Sequence, residues 1–196
     1  MAQKRAFIIH GYQGFPDEAW QPWLKMELER LGFHAFLPAM PHPENPGVDE
    51  WIEFIDHLVG APDEGTVLVG HSMGGFAVLL YLDGLGAVGK AVGKTVLIAT
   101  GYPSGLSPAS ANERSGGDVA MRPWLTRSVD PIRVSKAAGR CTVILADDDP
   151  YIPIQETKTA FAKNLSPEII VECGLGHMNE DSHITELPSA LAAVIS

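Results

Sequence analysis

The sequence predicts an α/β fold in which helices cover both faces of a six-stranded parallel sheet. Three observations lead there. Short runs rich in Val, Ile, Leu or Phe recur without polar alternation, the pattern of strands buried on both faces. Between them lie stretches with apolar residues at helical spacing, and such alternation joins parallel strands through right-handed crossovers. Polar residues capable of joint chemistry stand just past several strand-like runs, and the strands of a parallel sheet all end on one edge. With 196 residues, 45% hydrophobic and 19% charged, the chain can bury such a core and is expected to form one domain over 1–196.

The first strand is expected at 6–10, followed by the glycine-containing loop His10-Gly11-Tyr12-Gln13-Gly14. A helix over 17–31 carries Trp20, Trp23, Leu24, Leu28 and Leu31 at helical spacing and stops at Gly32; both tryptophans read as core anchors. The second strand, 34–38, runs into the tract Pro38 to Gly47, whose prolines exclude helix and central strand. That tract reads as a stiff wall of a site, with Met40 and His42 as candidates for lining it. A helix over 48–60, a strand over 66–70, a helix over 74–83 and a strand over 95–99 follow.

From Gly101 to Arg140 there is room for extra structure. Its first half, Ser104 to Asp118, is rich in Ser, Gly, Ala and Pro and reads as a mobile surface loop. Its second half, with Pro123-Trp124-Leu125 and Asp130-Pro131-Ile132, suits a short helix anchored by its tryptophan. Neither half is long or apolar enough for a large lid, so a shallow, open pocket is expected. The pattern closes with a strand over 142–146, a helix over 154–164 behind Pro153, a strand over 169–173, and a last helix over about 187–195 with Pro188 in its first turn. Cys141 and Cys173 fall toward opposite ends of neighbouring strands, on the order of 15 Å apart. Two buried free thiols are expected rather than a disulfide.

The most informative stretch is Val67-Leu68-Val69-Gly70-His71-Ser72-Met73-Gly74-Gly75, a G-x-S-x-G between a strand-like and a helix-like run. A sharp strand-to-helix turn would present Ser72 as a nucleophile, with glycines where a Cβ would meet the neighbouring chain. A base is then required, because a hydroxyl is almost never ionised at neutral pH. His177, between Gly174-Leu175-Gly176 and the chain's end, is placed to swing over the sheet edge; His183 is its rival. Asp147, Asp148 and Asp149 compete to orient the imidazole, and Asp149 is favoured because Pro150 holds it extended. Serine, aspartate, histidine is the chain order of α/β-hydrolases.

An oxyanion site needs two N–H donors. One follows from the elbow, the amide of Met73; the second is assigned to Tyr12, with Gly11 as the alternative. His10 reads as a structural hydrogen-bonder and His71 as packing under the elbow, while His34 and His57 have no site context.

The formal charge of −10 argues against nucleic acid or an anionic membrane as principal partner. The basic opening Met1 to Arg5 is followed by an apolar run far too short for a signal-peptide core, and no stretch approaches the ~20 apolar residues of a membrane span. A cytoplasmic location is expected. Metal-ligand, dinucleotide and Walker spacings are absent, so neither metal nor cofactor is expected, and the partner is a small acyl substrate.

Ile8-Ile9-His10-Gly11-Tyr12, Trp20-Gln21-Pro22-Trp23-Leu24, Pro38-Ala39-Met40-Pro41, Gly70 to Gly74, Asp148 to Pro153 and Gly176-His177-Met178-Asn179 together resemble the small, lid-poor α/β-hydrolases of the retinoblastoma-binding protein 9 type. The resemblance implies a sheet ordered 2-1-3-4-5-6, a triad on Ser72, Asp149 and His177, and carboxylesterase-type activity on small acyl esters. One departure is that the L-x-C-x-E motif for binding retinoblastoma protein does not occur. The expected function is therefore a serine hydrolase working through an acyl-enzyme. A non-catalytic binding or scaffold protein on the same fold, or a thioesterase or acyltransferase, is the alternative.

Overall fold

In the computed structural model, residues 3–196 are described; Met1 and Ala2 of the basic opening lie outside them. Six strands, β1 (Arg5–Ile9), β2 (His34–Phe36), β3 (Thr66–His71), β4 (Lys94–Ile98), β5 (Arg140–Ala146) and β6 (Glu168–Glu172), form one sheet in the order β2-β1-β3-β4-β5-β6. Every pairing is parallel, as the β–α alternation predicts. The helices are α1 (Gln21–Arg30), α2 (Val48–Val59), α3 (Met73–Ala87), α4 (Pro108–Arg114), α5 (Arg122–Leu125), α6 (Pro131–Ala137), α7 (Ile154–Asn164) and α8 (Pro188–Ile195).

Alternate residues of the central strands feed two cores. Phe7, Ile9, Leu68, Leu97, Val143 and Leu145 pack under α2, α3, α6 and α7, whereas Ala6, Ile8, Val69, Val96, Ile98 and Ile144 pack under α1 and α8. Both faces are thereby covered, the three-layer α/β-hydrolase arrangement. Among the described residues no helix is long and apolar enough to cross a membrane.

Five expectations are corrected. The two edge strands are not buried on both faces: β2 buries only Ala35, and β6 is at best half-buried throughout, because each has a neighbour on one side only. Helix α1 starts at Gln21 rather than at 17, since Ala19 adopts φ 51 and breaks the helical path. Helix α3 runs to Ala87, past Gly84 and Gly86, which tertiary packing retains against their low helix propensity. The stretch 104–118 is no plain loop: Ser107 caps α4 through the Ser110 amide, and Pro108 occupies its first turn. The expected anchoring tryptophan is there, with Trp124 of α5 buried edge-on against Trp51. Both cysteines are free, but only Cys141 is partly buried, and burial pushes its thiol up to about 12. Cys173 is exposed, just past the edge strand β6.

Two glycines of α3 give a paired test. A Cβ on Gly86 would collide with the carbonyl of Arg133 in α6, whereas one on Gly84 meets nothing within 4 Å. Gly86→Ala is expected to destabilise the protein by about 1–3 kcal/mol and Gly84→Ala to stabilise it by about 0.5–1 kcal/mol. Urea denaturation measures both, and equal shifts would contradict the packing described.

Candidate active site

Ser72 joins β3 to α3 with φ 51 and ψ −120, a conformation that costs a residue bearing a Cβ roughly 1–3 kcal/mol. Close packing enforces it. A Cβ on Gly70 would overlap the Gly75 backbone, and one on Gly74 would strike the carbonyl oxygens of Ile9 and His10. The Ser72 amide donates to the Ile98 carbonyl at 2.8 Å, and its own carbonyl accepts the Thr100 hydroxyl at 2.7 Å. Gly11 lies so close that a Cβ there would sit 3.0 Å from the Ser72 Cβ.

At this corner Ser72 Oγ is 2.8 Å from His177 Nε2, and His177 Nδ1 is 2.8 Å from Asp149 Oδ2. The Asp149 side chain is only 1% exposed, and its other oxygen accepts the amides of Tyr151 and Ile152 at 2.8 and 3.1 Å. The carboxylate is thus held by two amides of its own turn. With the imidazole proton on Nδ1, facing Asp149, Nε2 is the acceptor for the serine proton. An arrangement of this kind can deprotonate a hydroxyl as it attacks an electrophile and stabilise the imidazolium that results.

The histidine loop is fixed from several sides. Asp147 accepts the Gly174 amide at 2.9 Å and Asp148 the Gly176 amide at 2.8 Å, so the three aspartates divide their work along one loop. That bond to Gly174 is the first cause holding the Asp147 carboxyl below its ordinary range. The His71 imidazole donates through Nε2 to the His177 carbonyl at 2.9 Å, and the Trp20 indole donates to the Met178 carbonyl at 2.8 Å. Trp20 and His71 also meet edge-on, 6.0 Å between ring centroids. Burial, then the nearby His177, pushes His71 down to about 3, which keeps it neutral and a donor. The sequence marks Trp20 as core and His71 as packing; their carbonyl-holding roles, like that of Thr100, leave no pattern in it.

The remaining candidates divide. Among the described residues no acceptor pairs with the amides of Met73 or Tyr12, nor with that of Gly11. Met73 opens α3, so the helix N-terminus is directed at Ser72. His10 is fully buried, accepts the Met40 amide on Nε2 at 3.0 Å and donates from Nδ1 to the Gly11 carbonyl at 2.9 Å, the structural role expected of it. Met40 is 2% exposed and packs in the core with Trp51, so its side chain belongs to the floor of the proline tract and not to an open wall. His42 stands in solvent, hydrogen-bonded at 3.1 Å to Glu50. His183, the rival base, is exposed in a left-handed conformation, and His34 and His57 are also exposed.

The segment 104–128 covers one flank. Trp124 donates to the Pro46 carbonyl at 2.9 Å, Arg127 pairs with Asp49 at 2.6 Å, and Ser104 bridges to Ser128. The Tyr151 ring, 63% exposed, stands edge-on to His177 at 4.9 Å between centroids. Cavities of about 290 and 400 Å³ open at the other end of β3 and between α2 and α3, and Ser72 lines neither.

A family model described as serine hydrolase matches residues 6–196. The chain is similar to the Bacillus subtilis hydrolase YdeN, at 30% identity over 94% of this chain and 91% of that protein. It is also similar to the serine hydrolase RBBP9 of Rattus norvegicus, at 26% identity over 91% of this chain and 90% of the other. The crystal structure of the B. subtilis ydeN gene product superimposes with a TM-score of 0.83 at 26% identity, covering 97% and 96% of the two chains.

The buried neutral His71 generates a stability test. Its folded-state value, about 3, lies below the ordinary 6.5, so the unfolded chain binds the extra proton. This contribution is therefore present above about pH 6.5 and is lost as pH falls toward 3. His71→Gln can keep the donor to the His177 carbonyl but does not titrate. It should lose less stability than the wild type between pH 7 and 4 in urea denaturation; parallel pH curves would contradict this account.

Proposed function

The chain belongs to the serine hydrolase family, and from that premise we propose that it cleaves small acyl esters through an acyl-enzyme on Ser72. The observation that carries the reading is the hydrogen-bonded series Ser72, His177, Asp149 at a strained strand-to-helix corner. His177 accepts the Ser72 proton as Oγ adds to the acyl carbonyl, then delivers it to the departing alcohol. Water, deprotonated by the same imidazole, adds to the acyl-enzyme and releases the acid and free Ser72. Asp149 holds the Nδ1 proton in place and offsets the transient positive charge.

Negative charge on the former carbonyl oxygen falls to the amides of Met73 and Tyr12, which have no other acceptor among the described residues, aided by the N-terminus of α3. The aromatic ring of Tyr151, edge-on to His177, offers an apolar contact for an ester beside the base.

Ser72→Ala is expected to remove fluorophosphonate labelling and to lower turnover of p-nitrophenyl acetate by about 10⁶-fold. Labelling that persists at another residue would refute the assignment. Asp149→Asn should preserve the fold by circular dichroism yet cut kcat by about 10⁴-fold, because the amide favours the wrong imidazole tautomer.

A further inference from the structure

Glu18 is a buried carboxylate that the mechanism above leaves unused. The residue is 7% exposed, one oxygen accepts the Glu180 amide at 3.3 Å, and the other is fully buried with no hydrogen-bond partner among the described residues. It lies between two functional segments. A Cβ on Gly14, in the loop that carries the Tyr12 amide, would come 2.6 Å from that unpaired oxygen and 3.1 Å from His10 Nδ1. Two residues further along, Trp20 holds the Met178 carbonyl. The short segment 18–20 therefore grips the histidine loop on both sides of Asn179.

We propose that Glu18 is a positioning residue for His177: it braces the histidine loop through the Glu180 amide and sets a second negative charge, after Asp149, on the side of that loop where the imidazolium forms during proton transfer. The inference rests on the serine hydrolase reading above. A glutamine could accept the same amide without the cost of burying charge, so a carboxylate here is unfavourable for stability alone. Burial first, with a lesser push from the Glu180 carboxylate, raises the Glu18 carboxyl above its ordinary range; the Glu180 and Phe15 amides oppose that rise, and the charge of His177 opposes it to a smaller extent. The titratable neighbours are thus His177 and Glu180 on the histidine loop, His10 beside Gly14, and, around His177 itself, Asp149 from the end of β5, His71 from β3 and the Tyr151 ring.

The test compares Glu18→Gln, which keeps an acceptor for the Glu180 amide and removes the charge, with the wild type. Loss of the anion disfavours imidazolium, so the acid limb of kcat/KM for ester turnover should move to lower pH by roughly half a unit. The plateau should fall about threefold to tenfold as the charge that supports the transition state is lost. A profile superimposable on the wild type would overturn the proposal. A reciprocal measurement does not depend on turnover: by NMR, the Glu18 carboxyl should titrate at higher pH in His177→Ala than in the wild type, and an unchanged titration would also overturn it. The two readings fail separately. Turnover that survives Ser72→Ala removes the hydrolase mechanism, whereas Ser72-dependent turnover with a wild-type-like Glu18→Gln profile removes only the role of Glu18.

Discussion

The arrangement around Ser72 depends on how closely α3 approaches the ends of β1 and β3. Glycines at 70 and 74 leave no side chain between the first turn of the helix and the backbones beside it, Gly75 makes room for the Thr100 side chain, and a Cβ at Gly74 would strike two carbonyl oxygens of the chain leaving β1. That contact does more than permit a tight turn. It brings the loop after β1, with its unpaired Tyr12 amide, to the same corner as the first amides of α3, so the surroundings of the serine are assembled from backbone that cannot move away without unpacking the core. The left-handed conformation of Ser72 is the local expression of this constraint.

The base is held by a different kind of structure. Its loop follows an edge strand that is half exposed, and it owes its position to polar contacts: three consecutive aspartates reach Gly174, Gly176 and His177, while His71 and Trp20 take successive carbonyls. Each bond contributes on the order of 1 kcal/mol. Together they over-determine one backbone path, as the proposed role of His177 requires, because a displacement of about 1 Å can cost two orders of magnitude in rate.

Much of this was legible from residue order. Strand-like runs ending at Gly70, Ala146 and Cys173 place Ser72, Asp149 and His177 on one edge, since a parallel sheet leaves no other place for strand C-termini. The preference for Asp149 over its two neighbours, argued from Pro150, matches the hydrogen bond that the structure contains. Less was legible where tertiary context decided. Exposure of β2 and β6 follows from their lateral position in the sheet, which no local pattern encodes. A Ser- and Gly-rich composition concealed α4, although Ser107-Pro108 is a helix-start signal. Contacts made to carbonyl and amide groups, as by Thr100, Trp20 and Glu18, lie beyond sequence patterns because any residue supplies the backbone partner.

The contrast between α3 and the histidine loop has a dynamic consequence. Helix α3 is buried along most of its length, so its amides should become accessible to solvent exchange only when the whole molecule unfolds. The loop around His177, by contrast, leaves a half-exposed edge strand and is pinned by side-chain hydrogen bonds from Asp147, Asp148, His71 and Trp20. Ser72 therefore sits on a segment locked by burial and His177 on one locked by polar side chains, so that substitutions at those side chains would loosen the histidine loop while the helix stays in place.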